Sequence, residues 1–168
     1  MSSSARSART ARLVPLAAAL AFAVACSDSP GDRPCTLVAA VPGIGIDLDA
    51  ATAARTESVQ THACWGGTCQ DVTAKLFPST GVGATSCTGE VCAAQATPLP
   101  GKHGNATLPG IVPGPVDLTL TLLDASGTEV GTRRITVTAK ASYPNGPNCG
   151  ADAAQAAVLV TDSGIIAK

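Results

Sequence analysis

The stretch Cys64-Trp65-Gly66-Gly67-Thr68-Cys69 constrains this chain more than any other. A Gly-Gly pair suits a two-residue type I′ hairpin loop, which needs positive φ at both central positions. With Gly66-Gly67 as the loop, Trp65 faces Thr68 as the hydrogen-bonded pair that closes it. Cys64 then faces Cys69 as the next, non-hydrogen-bonded pair. At such a pair the Cα atoms approach to about 4.5 Å, inside the range that a disulfide spans. The same register sets His62 opposite Asp71, Gln60 opposite Thr73 and Ser58 opposite Lys75 on the cysteine face. On the other face it sets Ala63 opposite Gln70, Thr61 opposite Val72 and Val59 opposite Ala74. One face is polar and the other mostly apolar, as a half-buried sheet requires, and a slip of one residue would mix them. The expectation is a β-hairpin stapled near its tip.

Cys87-Thr88-Gly89-Glu90-Val91-Cys92 repeats the spacing. Gly89-Glu90 fits a type II′ loop with glycine first, which again places the two cysteines on a non-hydrogen-bonded pair. Cys35 and Cys149 are left to join the two ends of the domain. That assignment is by elimination, because six cysteines allow fifteen pairings. Two rival readings exist. Cys64, Cys69, Cys87 and Cys92 form a set of four thiolates suited to zinc. A redox-active pair is the other rival, although CxxC is its usual spacing and no thioredoxin-like βαβ pattern surrounds these cysteines.

The start of the chain argues for disulfides. Residues 1–12 carry Arg6, Arg9 and Arg12 and no acid, and residues 13–25 are apolar and uncharged. A basic stretch followed by a short apolar one is an export signal, and exported proteins live where disulfides persist. The apolar run is shorter than the roughly 20 residues that a membrane span needs. It ends at Ala23-Val24-Ala25, and Cys26 follows. This junction resembles the lipobox of bacterial lipoproteins, although Ala23 stands where leucine is usual. The resemblance implies diacylglyceryl and palmitate on Cys26, cleavage before it, and anchoring on the extracytoplasmic face of the cell membrane. Lipid on Cys26 accounts for the odd member of seven cysteines. An ordinary A-x-A cleavage site would give a secreted protein instead. Residues 27–34, Ser-Asp-Ser-Pro-Gly-Asp-Arg-Pro, read as a tether that spans at most about 28 Å. The domains are therefore expected as a signal peptide over 1–25, a lipid-anchored tether over 26–34 and one domain over 35–168.

Of the 11 Lys+Arg in the chain, three lie in the leader, leaving 8 against 12 Asp+Glu. An acidic module without a basic face is a poor partner for nucleic acid. Trp65, Phe77 and Tyr143 are the aromatics beyond the leader, so Val, Leu, Ile and Ala must build the core. Short β-type runs between Gly, Pro and Asn argue for an all-β fold. They are Thr36–Val41, Gly45–Leu48, Glu57–Cys64, Thr68–Leu76, Val91–Thr97, Val116–Leu123, Glu129–Thr138 and Ala157–Thr161. Ser79–Ser86 is a poor strand, and Pro98–Pro115, with five prolines, reads as a loop. The clearest alternation is Val116, Leu118, Leu120 and Leu122 on one side against Asp117, Thr119 and Thr121 on the other. The turn Asp124-Ala125-Ser126-Gly127 and a second alternating strand follow. This hairpin resembles those of bacterial Ig-like domains and implies a sandwich of about seven to eight strands.

Other candidates have ordinary readings. His62 and Asp71 make a cross-strand pair, His103 sits in a Gly-rich loop, Asp47 and Asp49 end a strand, and Asn105-Ala106-Thr107 is a glycosylation sequon. Trp65, at a hairpin tip, is the one residue read as a possible binding contact, and its ordinary reading is a core anchor beside the disulfide. No catalytic, metal or cofactor site is expected. The sequence leads to a lipid-anchored envelope module that binds or scaffolds, with an envelope protein or wall glycan as partner. The alternatives are a small envelope hydrolase, for which His62 would be the residue to replace, and a four-cysteine metal protein.

Overall fold

The computed structural model describes residues 35–168. The expected export segment, the expected lipid site Cys26 and the expected tether lie outside the described residues. The chain is all-β apart from two short helical turns. Its strands are β1 (Gly43–Leu48), β2 (Ser58–Trp65), β3 (Thr68–Thr88), β4 (Val91–Thr107), β5 (Gly114–Leu123), β6 (Glu129–Ser142), β7 (Ala153–Thr161) and β8 (Gly164–Ala167). A four-residue helix, α1 (Ala50–Ala53), follows β1.

The strands are ordered β1-β4-β3-β2-β5-β6-β7-β8, and β1 also pairs with β7. The meander β2-β3-β4 is followed by β5, which returns to lie beside β2. That is a Greek key, the connection found in most sandwiches. One layer holds β2, β5, the start of β3 and most of β6. The other holds β1, β4, β7, β8 and the ends of β3 and β6. β3 and β6 thus run from one layer into the other. β1 pairs antiparallel with β4 and parallel with β7, so it lies in the middle of the second layer and joins the β3–β4 side to the β7–β8 side.

The inward face of each strand builds a single core. β1 contributes Ile44, Ile46 and Leu48, and β5 contributes Val116, Leu118, Leu120 and Leu122. β2 contributes Val59, Ala63 and Trp65, and β7 contributes Val158 and Val160. Period-2 alternation dictates this, since a strand resting on a core can bury only every second residue. Thr61 occupies a core position of β2 at 0% exposure, and its hydroxyl has no hydrogen-bond partner among the described residues. An unpartnered buried hydroxyl costs free energy that a methyl of the same shape does not. Thr61→Val is expected to stabilise the domain by about 1 kcal/mol, read as a higher urea midpoint at unchanged slope.

Several segments differ from expectation. Thr36–Val41 is not a strand. Side chains take the place of a ladder there: Asn145 Oδ1 accepts from the Val38 N–H at 3.1 Å and Asn145 Nδ2 donates to the Val38 carbonyl at 2.9 Å. Gln155 Nε2 likewise donates to the Val41 carbonyl at 2.7 Å. Pro98–Thr107 is strand rather than loop, because residues 102–107 of β4 pair with β1 and residues 102–104 pair with β3 as well. The prolines are tolerated where the ladder is irregular, with a register shift between Pro78 and Thr80. Ser79–Ser86 also belongs to β3, and β8 is a short strand that follows the turn at Asp162-Ser163.

Candidate functional site

The hairpin of β2 and β3 carries the densest chemistry. Gly66 and Gly67 both adopt positive φ, at 53° and 83°, as the type I′ loop demands. The ladder pairs Trp65 with Thr68, Cys64 with Cys69, Ala63 with Gln70 and His62 with Asp71. Cys64 and Cys69 are disulfide-bonded, with Cα atoms 4.1 Å apart. Cys87–Cys92 and Cys35–Cys149 are the other two disulfides. Each short pair stays within its own hairpin, so the four-cysteine zinc set is not assembled.

His62 and Cys64 lie two apart on the outward face of β2, which puts imidazole and sulfur side by side. Asp71 Oδ1 is 2.8 Å from His62 Nδ1, and Cys64 Sγ is 3.3 Å from His62 Nε2. An ionised carboxylate only accepts, so Nδ1 carries a proton and Nε2 is turned to the sulfur. When the ring is doubly protonated, Nε2–H donates toward Sγ. The His62 and Asp71 side chains are 49% and 67% exposed. A pair this open to solvent adds little to stability. On β5, Thr119 lies opposite His62 and Asp117 opposite Cys64, and Asp117 accepts from Thr136 Oγ1 at 2.6 Å. Arg134 of β6 lies opposite Thr119. The ligand atoms of His62, Cys64 and Cys69 lie within 4.8 Å of one another. While the sulfurs are bonded to each other they offer no thiolate to a metal, so the oxidised hairpin is not a cation site.

Trp65 takes the core-anchor reading, which corrects the binding one. It is 7% exposed and belongs to the core cluster. It shares the inward face with Ala63 and Thr61, so its indole packs inside the sandwich and is not a surface contact. The remaining candidates are dispersed. Asp47 accepts from Lys168 Nζ at 2.7 Å. Asp49 caps α1, its Oδ1 accepting from the Thr52 N–H at 2.8 Å, and that bond holds its carboxyl below the usual range. The two carboxylates of the D-x-D therefore serve different partners. His103 is exposed on β4 rather than in a loop, with its ring 6.3 Å from that of Phe77.

A second feature escapes sequence reasoning. From Ser79 to Leu99, β3 and β4 form a two-stranded arm with no buried residue. Val82 is 82% exposed and Val91 75%. Glu90 is the one charge in this stretch, and Cys87–Cys92 closes the tip. Two surface grooves lie elsewhere on the described residues. One is lined by Gly45, Thr138, Lys140 and Gln155, the other by Arg55, Glu57, Lys102 and Asp124. Neither lining includes a histidine or cysteine. Among the described residues, no helix is long and apolar enough to cross a membrane.

Fold and site together define an all-β sandwich stapled by three disulfides, with a stapled arm and one imidazole–disulfide contact. Comparison with known proteins finds no matching family model, no similar curated protein and no similar solved structure.

Proposed function

We propose that this chain is a membrane-anchored extracytoplasmic lipoprotein that works by binding or scaffolding in the cell envelope. Lipid on Cys26 tethers it and the sandwich presents a contact surface. The observation that carries the reading is the Ser79–Leu99 arm. An isolated two-stranded ribbon is marginally stable in water, yet here one is extended away from the core and closed by a disulfide. Its valines face solvent, and its outer backbone edges offer hydrogen bonds to a partner strand. The export signal and three disulfides support an oxidising compartment outside the cytoplasm.

A photo-crosslinking side chain at Val82 in intact cells tests this. The expected result is a discrete adduct of fixed mass from Val82 and none from Thr121, which lies on the open face of β5. Cys26→Ala is expected to release the protein from the membrane fraction and abolish the adduct. Equal, diffuse labelling from both positions would sink the reading.

A further inference from the structure

We propose that Cys64–Cys69 is an exchangeable, redox-active disulfide, and that His62, held by Asp71, donates a proton to Cys64 when a dithiol reductant opens the bond. The two hairpin tips form a natural comparison. Both have the CxxxxC spacing and both join directly opposed residues. At the Cys87–Cys92 tip the next pairs are Ser86 with Ala93 and Thr85 with Ala94, and the loop carries the carboxylate of Glu90 but no imidazole. At the Cys64–Cys69 tip an imidazole lies 3.3 Å from one sulfur, with a carboxylate 2.8 Å behind it. A staple alone needs neither group.

Exposure sets the direction of the reaction. Cys69 is exposed and Cys64 half-buried, so the reductant's thiolate meets Cys69 Sγ first. A new S–S bond forms between the reductant and Cys69, and the Cys64–Cys69 bond breaks. Its electron pair goes to Cys64 Sγ, which takes the proton from Nε2–H of the imidazolium. The second thiolate of the reductant then attacks its own sulfur of the mixed disulfide. Cys69 leaves and is protonated by solvent, and the reductant departs as its internal disulfide. Two electrons pass from the dithiol to the hairpin. Exchange quickens as the leaving sulfur is better stabilised, which is what an acid within reach supplies. Asp71 fixes the ring through Nδ1, so that Nε2 stays aimed at sulfur, and it acts as a positioning residue. The charged groups around the ring are Asp71 on β3, Asp117 on β5 and Arg134 on β6. Opening the bond leaves the β2–β3 ladder and the β2–β5 ladder in place, so the hairpin can cycle without unfolding the sandwich.

The test is a time course of dithiothreitol reduction on the full-length protein, quenched by alkylation and mapped disulfide by disulfide. Rates are divided by the reductant's thiolate concentration at about pH 6 and about pH 9, so that imidazole protonation and not thiolate supply is what varies. At the lower pH, Cys64–Cys69 is expected to open at least about tenfold faster than Cys87–Cys92. His62→Ala and His62→Gln are both expected to bring it down to the Cys87–Cys92 rate, with Asp71→Asn in between. At the higher pH the difference is expected to vanish. Glutamine retains polar bulk but cannot pass on a proton. Wild-type rates in His62→Gln, or in His62→Ala with an unchanged circular dichroism spectrum, would overturn the proposal.

Discussion

Replacing Cys35 and Cys149 together by serine is expected to lower the domain's stability by roughly 4 kcal/mol, far more than removing either hairpin staple. The two residues are 114 apart in sequence, whereas each staple joins residues 5 apart. In the chain-entropy treatment a cross-link acts by restricting the unfolded chain, and the restriction grows with the loop it closes. The long loop is worth nearly 5 kcal/mol on that basis and a short one roughly 2. The position of the bond adds to its effect. Cys35 begins the segment that leads into β1, and Cys149 lies just before β7, so the bond ties together the entries to two strands that pair in parallel. Parallel pairing joins residues distant in sequence, and its closure entropy is high. The check is urea denaturation of the double variant beside Cys87→Ser/Cys92→Ser. A loss below about 1 kcal/mol in the first would show that side-chain contacts such as Asn145 with Val38 already hold this end of the domain.

What could be read from the sequence follows from what each element buries. The β2–β3 hairpin was legible residue by residue, because Gly66-Gly67 fixes the loop and the apolar residues of β2 then fix the register. β5 was legible because four of its residues enter the core in strict alternation. The arm was not legible, for the opposite reason. Its residues bury nothing, so no periodicity marks them, and their strand character is propagated from the paired base and held by the tip disulfide. Thr36–Val41 misled in the other direction. Its composition suits a strand, but no neighbouring backbone pairs with it, and Leu37 and Val38 remain exposed. At the candidate site, the facing of His62 and Asp71 followed from register alone. The contact of His62 with Cys64 did not, since residues two apart on a strand share a face but meet only if their rotamers turn together. The inside placement of Trp65 follows from carrying the alternation of Thr61 and Ala63 one step further.

Gly43→Ala is expected to be among the most damaging single changes, destabilising the domain by roughly 3 kcal/mol or more, or preventing its recovery as a folded protein. Gly43 opens β1 with φ at +141°, where a side chain is strained regardless of space. Space is also lacking. A methyl there would sit 2.0 Å from the Ala106 carbonyl oxygen and 3.1 Å from the Leu108 nitrogen. Both are backbone atoms and cannot turn aside as a flexible side chain would. The Leu108 N–H donates to the Pro42 carbonyl at 3.0 Å, so moving β4 away would break that bond as well. Gly45, two residues on, supplies the control. Its nearest neighbour to an added methyl is the Ala157 Cβ at 3.6 Å, an ordinary contact. Gly45→Ala is expected to change stability by less than about 1 kcal/mol. The contrast separates the combined effect of positive φ and close backbone approach at the mouth of β1 from the general effect of adding a methyl to a strand. Thermal unfolding of the two variants side by side measures it. Equal stability would mean that β1 and β4 separate there at little cost, and that the seam where β1 joins β4 to β7 is looser than the packing of Ile44 and Ala106 indicates.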